Sequence, residues 1–202
     1  QAGSQDLIRD VAPWPTLTPL VHADLAGVRT KYAANVLALE TLKALEASAC
    51  APDAEQRTVL NRYTGWGGIK GPFDPYPHPE WQKEAQQLES MLSGSEFESA
   101  KESTLNAHYT PLGIVQAIWT ALSNAGFTGG RILDPASGPG YFIGAMPEEI
   151  ARRSSVLCVE LEPTTARIAK ALYEPHAKVM NMGFEAAQIP DNYFDLVVSN
   201  FP

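Results

Sequence analysis

Between Arg131 and Val198, short apolar runs alternate with stretches of helical character, and that alternation constrains the fold more than any other feature. Arg131 to Leu133 reads as a short strand, followed by Asp134-Pro135-Ala136-Ser137-Gly138-Pro139-Gly140 and a helix-compatible stretch. Val156 to Val159 reads as a second strand that ends at Glu160. Pro163 to Tyr173 is a helix with Ile168, Ala169 and Leu172 facing inward. Lys178 to Met182 and Phe194 to Val198 supply the third and fourth strands. Strands and helices in this order predict an α/β fold, with a parallel, helix-covered sheet whose ligands sit beyond the carboxyl ends of its strands.

Upstream the pattern is different. Gln1 to Asp24 is polar and Pro-containing, an arm lying over other structure. Val28, Tyr32, Val36, Leu39, Leu42 and Leu45 recur at spacings of three and four, one face of a helix from Val28 to Ser48. Asp53 caps a shorter helix, with Gln56 placed to close a capping box. His78-Pro79 starts a helix with Trp81, Ala85, Leu88 and Leu92 as its apolar stripe, and Ser95 with Glu98 opens another that ends before Leu105. Thr110 and Pro111 are a good N-cap and first residue for a helix that buries Ile114, Val115, Ile118 and Leu122 and closes at Gly126. The division is a helical region over 1–104 and a sheet region over 105–202.

Arg62-Tyr63-Thr64-Gly65-Trp66-Gly67-Gly68 interrupts the helical half. Two readings stand side by side: Arg62, Tyr63 and Trp66 contact a nucleotide, or the aromatic residues plug a tight glycine turn.

Composition narrows the function. A 45% hydrophobic, 19% charged chain is that of a globular protein, with no run long enough to span a bilayer and no signal pattern at its start. Cys50 and Cys158 have no Cys or His at metal-ligand spacing, so neither a zinc site nor a disulfide framework is expected, and the cytoplasm is the default compartment. The formal net charge is -8 and the fifteen basic residues are scattered, which argues against a tight grip on nucleic acid by this segment alone.

Each strand end carries a residue suited to a ligand. After the first strand, glycines allow close backbone approach, and the loose dinucleotide fingerprint from Gly138 to Gly144 is a weak signal. Asp134 beside it would repel a pyrophosphate but suits an ammonium or sulfonium, which argues for S-adenosylmethionine over NAD. After the second strand, Glu160 can accept both hydroxyls of a ribose, and Leu161 can cover one face of an adenine. After the third come Phe184 and Glu185, an aromatic and an acid near the expected adenine position.

These motifs together resemble the amino-methylating DNA methyltransferases, in the order where the methionine-binding motif precedes the glycine loop. Asn106-Ala107-His108-Tyr109-Thr110-Pro111 is similar to that family's first motif, which implies that Thr110, with His108 and Tyr109 beside it, binds the cofactor carboxylate. Asp134, Ala136, Gly138 and Gly140 match its glycine loop, and Val159-Glu160-Leu161-Glu162-Pro163 its ribose motif. Ser199-Asn200-Phe201-Pro202 is similar to the first three positions of its Asn-Pro-Pro-aromatic catalytic motif, with Phe201 where Pro is usual. The third-strand motif usually places an Asp near the adenine; Glu185 lies off that register, so Phe184 against the ring is the safer assignment. The upstream Arg62 to Gly68 stretch and Ser103 to Thr110 further resemble the large methylase–helicase fusion proteins of phages, plasmids and integrative elements.

The resemblance implies a Rossmann-like S-adenosylmethionine-dependent methyltransferase sheet that transfers methyl to the exocyclic amino group of adenine in DNA, as in restriction-modification systems. Asn200 Oδ1 and the Phe201 carbonyl would accept the amine's two N–H bonds and stabilise the charge that develops on nitrogen, with Pro202 completing the catalytic motif. The target base must first leave the duplex. No metal is implied. The implied fold has seven strands, of which four are found, so the expectation is a cofactor-binding part of a longer polypeptide, with recognition and the base-stacking aromatic beyond Pro202. Methylation of a protein glutamine or an RNA amino group, and a non-catalytic S-adenosylmethionine-binding module, are the alternatives; a NAD enzyme is a further one.

Overall fold

The computed structural model describes residues 14, 16–76, 78–107, 109–174 and 176–200. Of the expected site residues, His108, Phe201 and Pro202 lie outside the described residues.

The alternating half forms a parallel sheet. β1 (Arg131–Asp134), β2 (Ser155–Glu160), β3 (Ala177–Asn181) and β4 (Leu196–Val197) lie in the order β3-β2-β1-β4. Ile132 is level with Val156 on one side and Leu196 on the other, and Cys158 is level with Val179. Ile132, Leu133, Val156, Cys158 and Val159 are buried, as strands covered on both faces require. β4 is shorter than the expected run from Phe194, and among the described residues it pairs with β1 alone. Its ladder extends further than the strand itself, because Asp195 N–H donates to the Arg131 carbonyl at 2.9 Å and Val198 N–H to that of Leu133 at 3.0 Å.

The helices are α1 (Val28–Ser48), α2 (Ala54–Asn61), α3 (Gln82–Met91), α4 (Gly94–Asn106), α5 (Leu112–Asn124), α6 (Tyr141–Gly144), α7 (Glu148–Ala151) and α8 (Pro163–Tyr173). α1 buries Tyr32, Val36, Leu39, Leu42 and Leu45 of the expected stripe, while Val28 stays exposed. The Asp53 capping box forms as expected, with Asp53 N–H donating to Gln56 Oε1 at 2.9 Å and Gln56 N–H to Asp53 Oδ1 at 2.8 Å.

Other boundaries differ from expectation too: β3 lies one residue earlier, α3 begins only at Gln82, after a 3-10 turn at Pro79–Trp81, and the starts of α4 and α5 differ for identifiable reasons. The capping box of α4 uses Ser93 and Glu96 instead of Ser95 and Glu98, and the helix continues through Leu105 to Asn106. Both pairs share the Ser-x-x-Glu spacing; tertiary contact favours the first, since Glu96 pairs with Arg167 of α8 at 2.6 Å. α5 begins at Leu112 with Pro111 as its N-cap and no side-chain cap. Thr110 lines a pocket instead, and the buried stripe is Leu112, Val115 and Trp119, with Ile114 exposed.

α8 joins the two halves. It packs on β2 and β3 and also on α1, α2 and α4, so almost its whole surface is buried, and Ala166 and Ala169 keep it slim enough to fit. Glu162 caps it, accepting from Thr164 N–H at 3.0 Å and Thr165 N–H at 2.7 Å. One hydrophobic core runs from Leu17 and α1 through α8 to Val198. The architecture is a Rossmann-like α/β sheet preceded by a helical region whose core is continuous with it.

Candidate cofactor site

The carboxyl ends of β1 and β4 open onto a pocket lined by Tyr109, Thr110, Ala136, Ser137, Tyr141, Phe142 and Asn200. Residues of three separate sequence motifs meet there: the linker before α5, the glycine loop after β1, and the segment after β4. Tyr109, Thr110, Ala136 and Asn200 were expected. Ser137, Tyr141 and Phe142 were not, although their positions within and just after the glycine loop are the signal that could have found them.

Asp134, the last residue of β1 and two positions before Ala136 of the pocket wall, is 1% exposed. Its Oδ1 accepts a 3.4 Å bond from Ala136 N–H, and its Oδ2 has no hydrogen-bond partner. Burial pushes the carboxyl up to about 7, against the downward pull of Ser199 and the Ala136 amide. Glu160 is similarly raised to about 7 by burial, although it accepts from Glu162 N–H at 2.8 Å and Gly138 N–H at 2.7 Å. Two carboxyls held near neutrality, one with an orphaned oxygen, favour a cationic ligand, whose charge would offset their desolvation.

Tyr109 is wedged between two glycines. A Cβ on Gly65 would fall 2.4 Å from Tyr109 Cε2, and one on Gly138 would fall 2.5 Å from its Cε1. Both glycines have positive φ, +62° and +55°, so the close approach and the backbone turn each demand glycine. The ring also packs on Tyr141, with centroids 5.6 Å apart.

The remaining candidates stand apart from Asn200. Gly140 is occupied by protein contact, since a Cβ there would meet Tyr173 at 2.4 Å. Leu161 and Phe184, 69% and 48% exposed, follow β2 and β3 and do not line the pocket. Glu185 is exposed and folds back over Gly183. Among the described residues no group of three His, Cys, Asp or Glu is placed to hold a metal, and no helix is long and apolar enough to cross a membrane.

The Arg62 to Gly68 loop takes the second of its two readings. Tyr63 and Trp66 are fully buried, so neither is open to stack on a nucleotide. Trp66 packs edge-on against Tyr63 and Phe73, and Arg62 bonds to Asp24 at 2.8 Å and to the Val21 carbonyl at 3.2 Å.

Comparison with known proteins adds three findings. The chain is 28% identical over 176 residues to the "Defense against restriction protein B" of Escherichia phage P1, covering 86% of this chain but 6% of that protein's length. A solved protein-L-isoaspartate O-methyltransferase superposes with a TM-score of 0.38 and 14% identity, over 79% of this chain and 46% of that one. Residues 133–201, from the end of β1 to the segment after β4, match the family model described as a methyltransferase domain.

Proposed function

We propose that this chain carries the cofactor-binding part of an S-adenosylmethionine-dependent methyltransferase that acts on the exocyclic amino group of adenine in DNA. The carrying observation is the pocket that brings Thr110, Ala136 and Asn200 together from three distant motifs. The methyltransferase-domain match over 133–201 supports the reaction class. The name of the phage relative, which speaks of defence against restriction, supports DNA as the substrate.

The residues present fit the cofactor. Its methionine end carries an ammonium and a sulfonium, and a cation would satisfy the orphaned Asp134 Oδ2. Thr110 would hold the methionine carboxylate and Glu160 the ribose, with Leu161 and Phe184 covering the adenine from the neighbouring strand ends. When bound, S-adenosylmethionine supplies an electrophilic methyl on sulfur. Asn200 Oδ1 would accept an N–H of the adenine amine, orienting its lone pair and stabilising the positive charge that grows on nitrogen.

Titration calorimetry with S-adenosylmethionine tests the binding half of this reading, and absence of heat at high ligand concentration ends it. In the intact protein, Asn200→Ala should remove transfer of tritiated methyl to adenine-containing DNA while leaving cofactor affinity within about twofold. Label that reaches protein or RNA in place of DNA would redirect the substrate.

A further inference from the structure

One buried side chain of α1 holds the turn on which two walls of the pocket rest. Asn35, fully buried, donates through Nδ2 to the Gly65 carbonyl at 2.6 Å, and its Oδ1 accepts from the Thr64 N–H at 2.8 Å. The partners fix which way the amide points, since a backbone N–H only donates and a carbonyl only accepts. The Thr64 hydroxyl lies 3.3 Å from the same Oδ1 and supplies it with a third bond. Asparagine is a weak helix former, and burying its amide is costly without partners, so neither propensity nor packing accounts for it inside α1. The clip on the turn does.

The clipped turn meets the pocket in two places. The Tyr63 carbonyl and the Thr64 N–H belong to one peptide group, and the Tyr141 hydroxyl donates to that carbonyl at 3.2 Å. Asn35 Oδ1 on one side of the peptide and Tyr141 on the other thus form a single hydrogen-bonded chain, in which each bond polarises the next. His22 Nε2 also lies 3.4 Å from the Tyr141 oxygen, but the Asn61 carbonyl 2.8 Å away requires a proton on that nitrogen. The tyrosine proton is therefore left for Tyr63. Gly65, whose carbonyl Asn35 Nδ2 holds, packs so closely on the Tyr109 ring that an added Cβ would fall 2.4 Å from Cε2. Tyr109 and Tyr141 line the pocket, and Asn35 does not.

We propose that Asn35 is a positioning residue: its amide fixes the Tyr63–Gly65 turn against Tyr141 and Tyr109, and so lets the N-terminal helical region set the pocket's affinity for its ligand. That ligand is S-adenosylmethionine, a point on which the proposal rests on the function given above. Leucine at this position keeps the approximate volume but takes their partner from the Thr64 N–H and the Gly65 carbonyl. Aspartate keeps the acceptor for Thr64 and sets a second oxygen against the Gly65 carbonyl.

The test uses three variants and two readouts. Asn35→Leu should weaken S-adenosylmethionine binding about tenfold in calorimetry, at a temperature where the variant is folded. Leu45→Ala is the control for stability alone: Leu45 is buried in the same helix, ten residues and about 15 Å further along, and its loss should lower the melting temperature while affinity stays within about twofold. The second readout needs no ligand. The fluorine resonance of a 3-fluorotyrosine placed at position 141 should move or broaden in Asn35→Leu, return towards its original place in Asn35→Asp, and stay put in Leu45→Ala. Should Asn35→Leu not fold, Asn35→Asp carries the affinity test, with the same tenfold loss expected from the opposed Gly65 carbonyl. A resonance unchanged in Asn35→Leu overturns the proposal, as does a folded Asn35 variant that binds as tightly as the unaltered protein. An equal loss of affinity in Leu45→Ala overturns it too, because binding would then follow stability. Failure of the unaltered protein to bind S-adenosylmethionine overturns the cofactor assignment instead, and the fluorine readout still decides the role of Asn35.

Discussion

Glu160 accepts a 2.7 Å hydrogen bond from the Gly138 backbone N–H, so the end of β2 holds the glycine loop that follows β1. The other carboxylate oxygen accepts from Glu162 N–H at 2.8 Å and steadies the turn into α8. Glu160→Gln turns one of these acceptors into a donor that faces an N–H. The cost should be about 1–3 kcal/mol, read as a lower urea midpoint at pH 8. Because burial raises the Glu160 carboxyl to about 7, the native side chain is itself protonated at pH 5, and the difference between the two proteins should shrink there. S-adenosylmethionine affinity should fall at least about tenfold at pH 8. An unchanged midpoint and affinity would show that the loop holds itself.

Asp134 gives a second pH signature. Its carboxyl is raised by burial to about 7, so between its unfolded value near 4 and about 7 the folded protein binds more protons than the unfolded chain. The stability this group contributes is complete below that window and is lost as pH rises through about 7. Asp134→Asn stays neutral throughout. The melting temperature of this variant, relative to the unaltered protein, should therefore climb from pH 5 to pH 8. Ligand binding should respond in the opposite sense: a cationic ligand favours the ionised carboxylate, so the unaltered protein should bind S-adenosylmethionine more tightly at pH 8 than at pH 6. Asp134→Asn should abolish most of that slope. A melting difference flat across this range would contradict the raised carboxyl.

The strands, α1, α8 and the Asp53 cap were legible because local patterns and tertiary packing agree at those places. For α4, spacing alone does not separate two overlapping Ser-x-x-Glu patterns, because it holds no record of Arg167, which favours Glu96. Thr110 reads as a helix cap for a related reason: the Thr-Pro pattern does not show that Thr110 lines the pocket while the helix starts at Leu112 without it. At the site, the strand-end carboxyls could be named from their places after the strands, and Asn200 from the resemblance of its motif. The bond between Tyr63 and Thr165 could not, since one lies in the loop after α2 and the other in the first turn of α8. Only the fold brings them together. The glycines of the Arg62–Gly68 loop were visible, but their reason was not: Gly65 faces a ring from a different segment.

Gly67 tests how far the helical region supports the site. A Cβ there would fall 1.7 Å from the Ala107 carbonyl oxygen, a backbone atom that cannot rotate away. Gly67→Ala should cost about 3 kcal/mol and, by displacing the chain just before Tyr109, should weaken S-adenosylmethionine binding as well. Gly113 is the control: it sits in α5 with no heavy atom within 4 Å of an added Cβ. Gly113→Ala should stabilise the protein by about 0.5–1 kcal/mol and leave affinity unchanged. Equal melting temperatures for the two alanine variants would refute the steric argument at Gly67.

At the opposite end of the sheet from the pocket, Asp195 clasps the first residue of β1. Its Oδ2 accepts from Arg131 Nε at 3.0 Å and from the Arg131 backbone N–H at 2.8 Å, and its Oδ1 accepts from Nη2 at 2.9 Å. The guanidinium also lies 4.7 Å from the Tyr193 ring centroid, which limits its freedom to swing away. These bonds lower the Asp195 carboxyl to about 2. A depressed carboxyl contributes stability above its unfolded value, and that contribution is lost as pH falls through about 2. Asp195→Asn should melt earlier than the unaltered protein at pH 7, with the gap closing as the pH is taken from 4 towards 2. Salt should narrow the gap at pH 7 too, because the pair is open to solvent and screened. β4 is held to the sheet by few bonds, so hydrogen exchange at Val198 should quicken in Asp195→Asn while exchange at Cys158 stays slow. Uniform quickening at both positions would mean that the clasp supports the whole fold and not the β1–β4 edge.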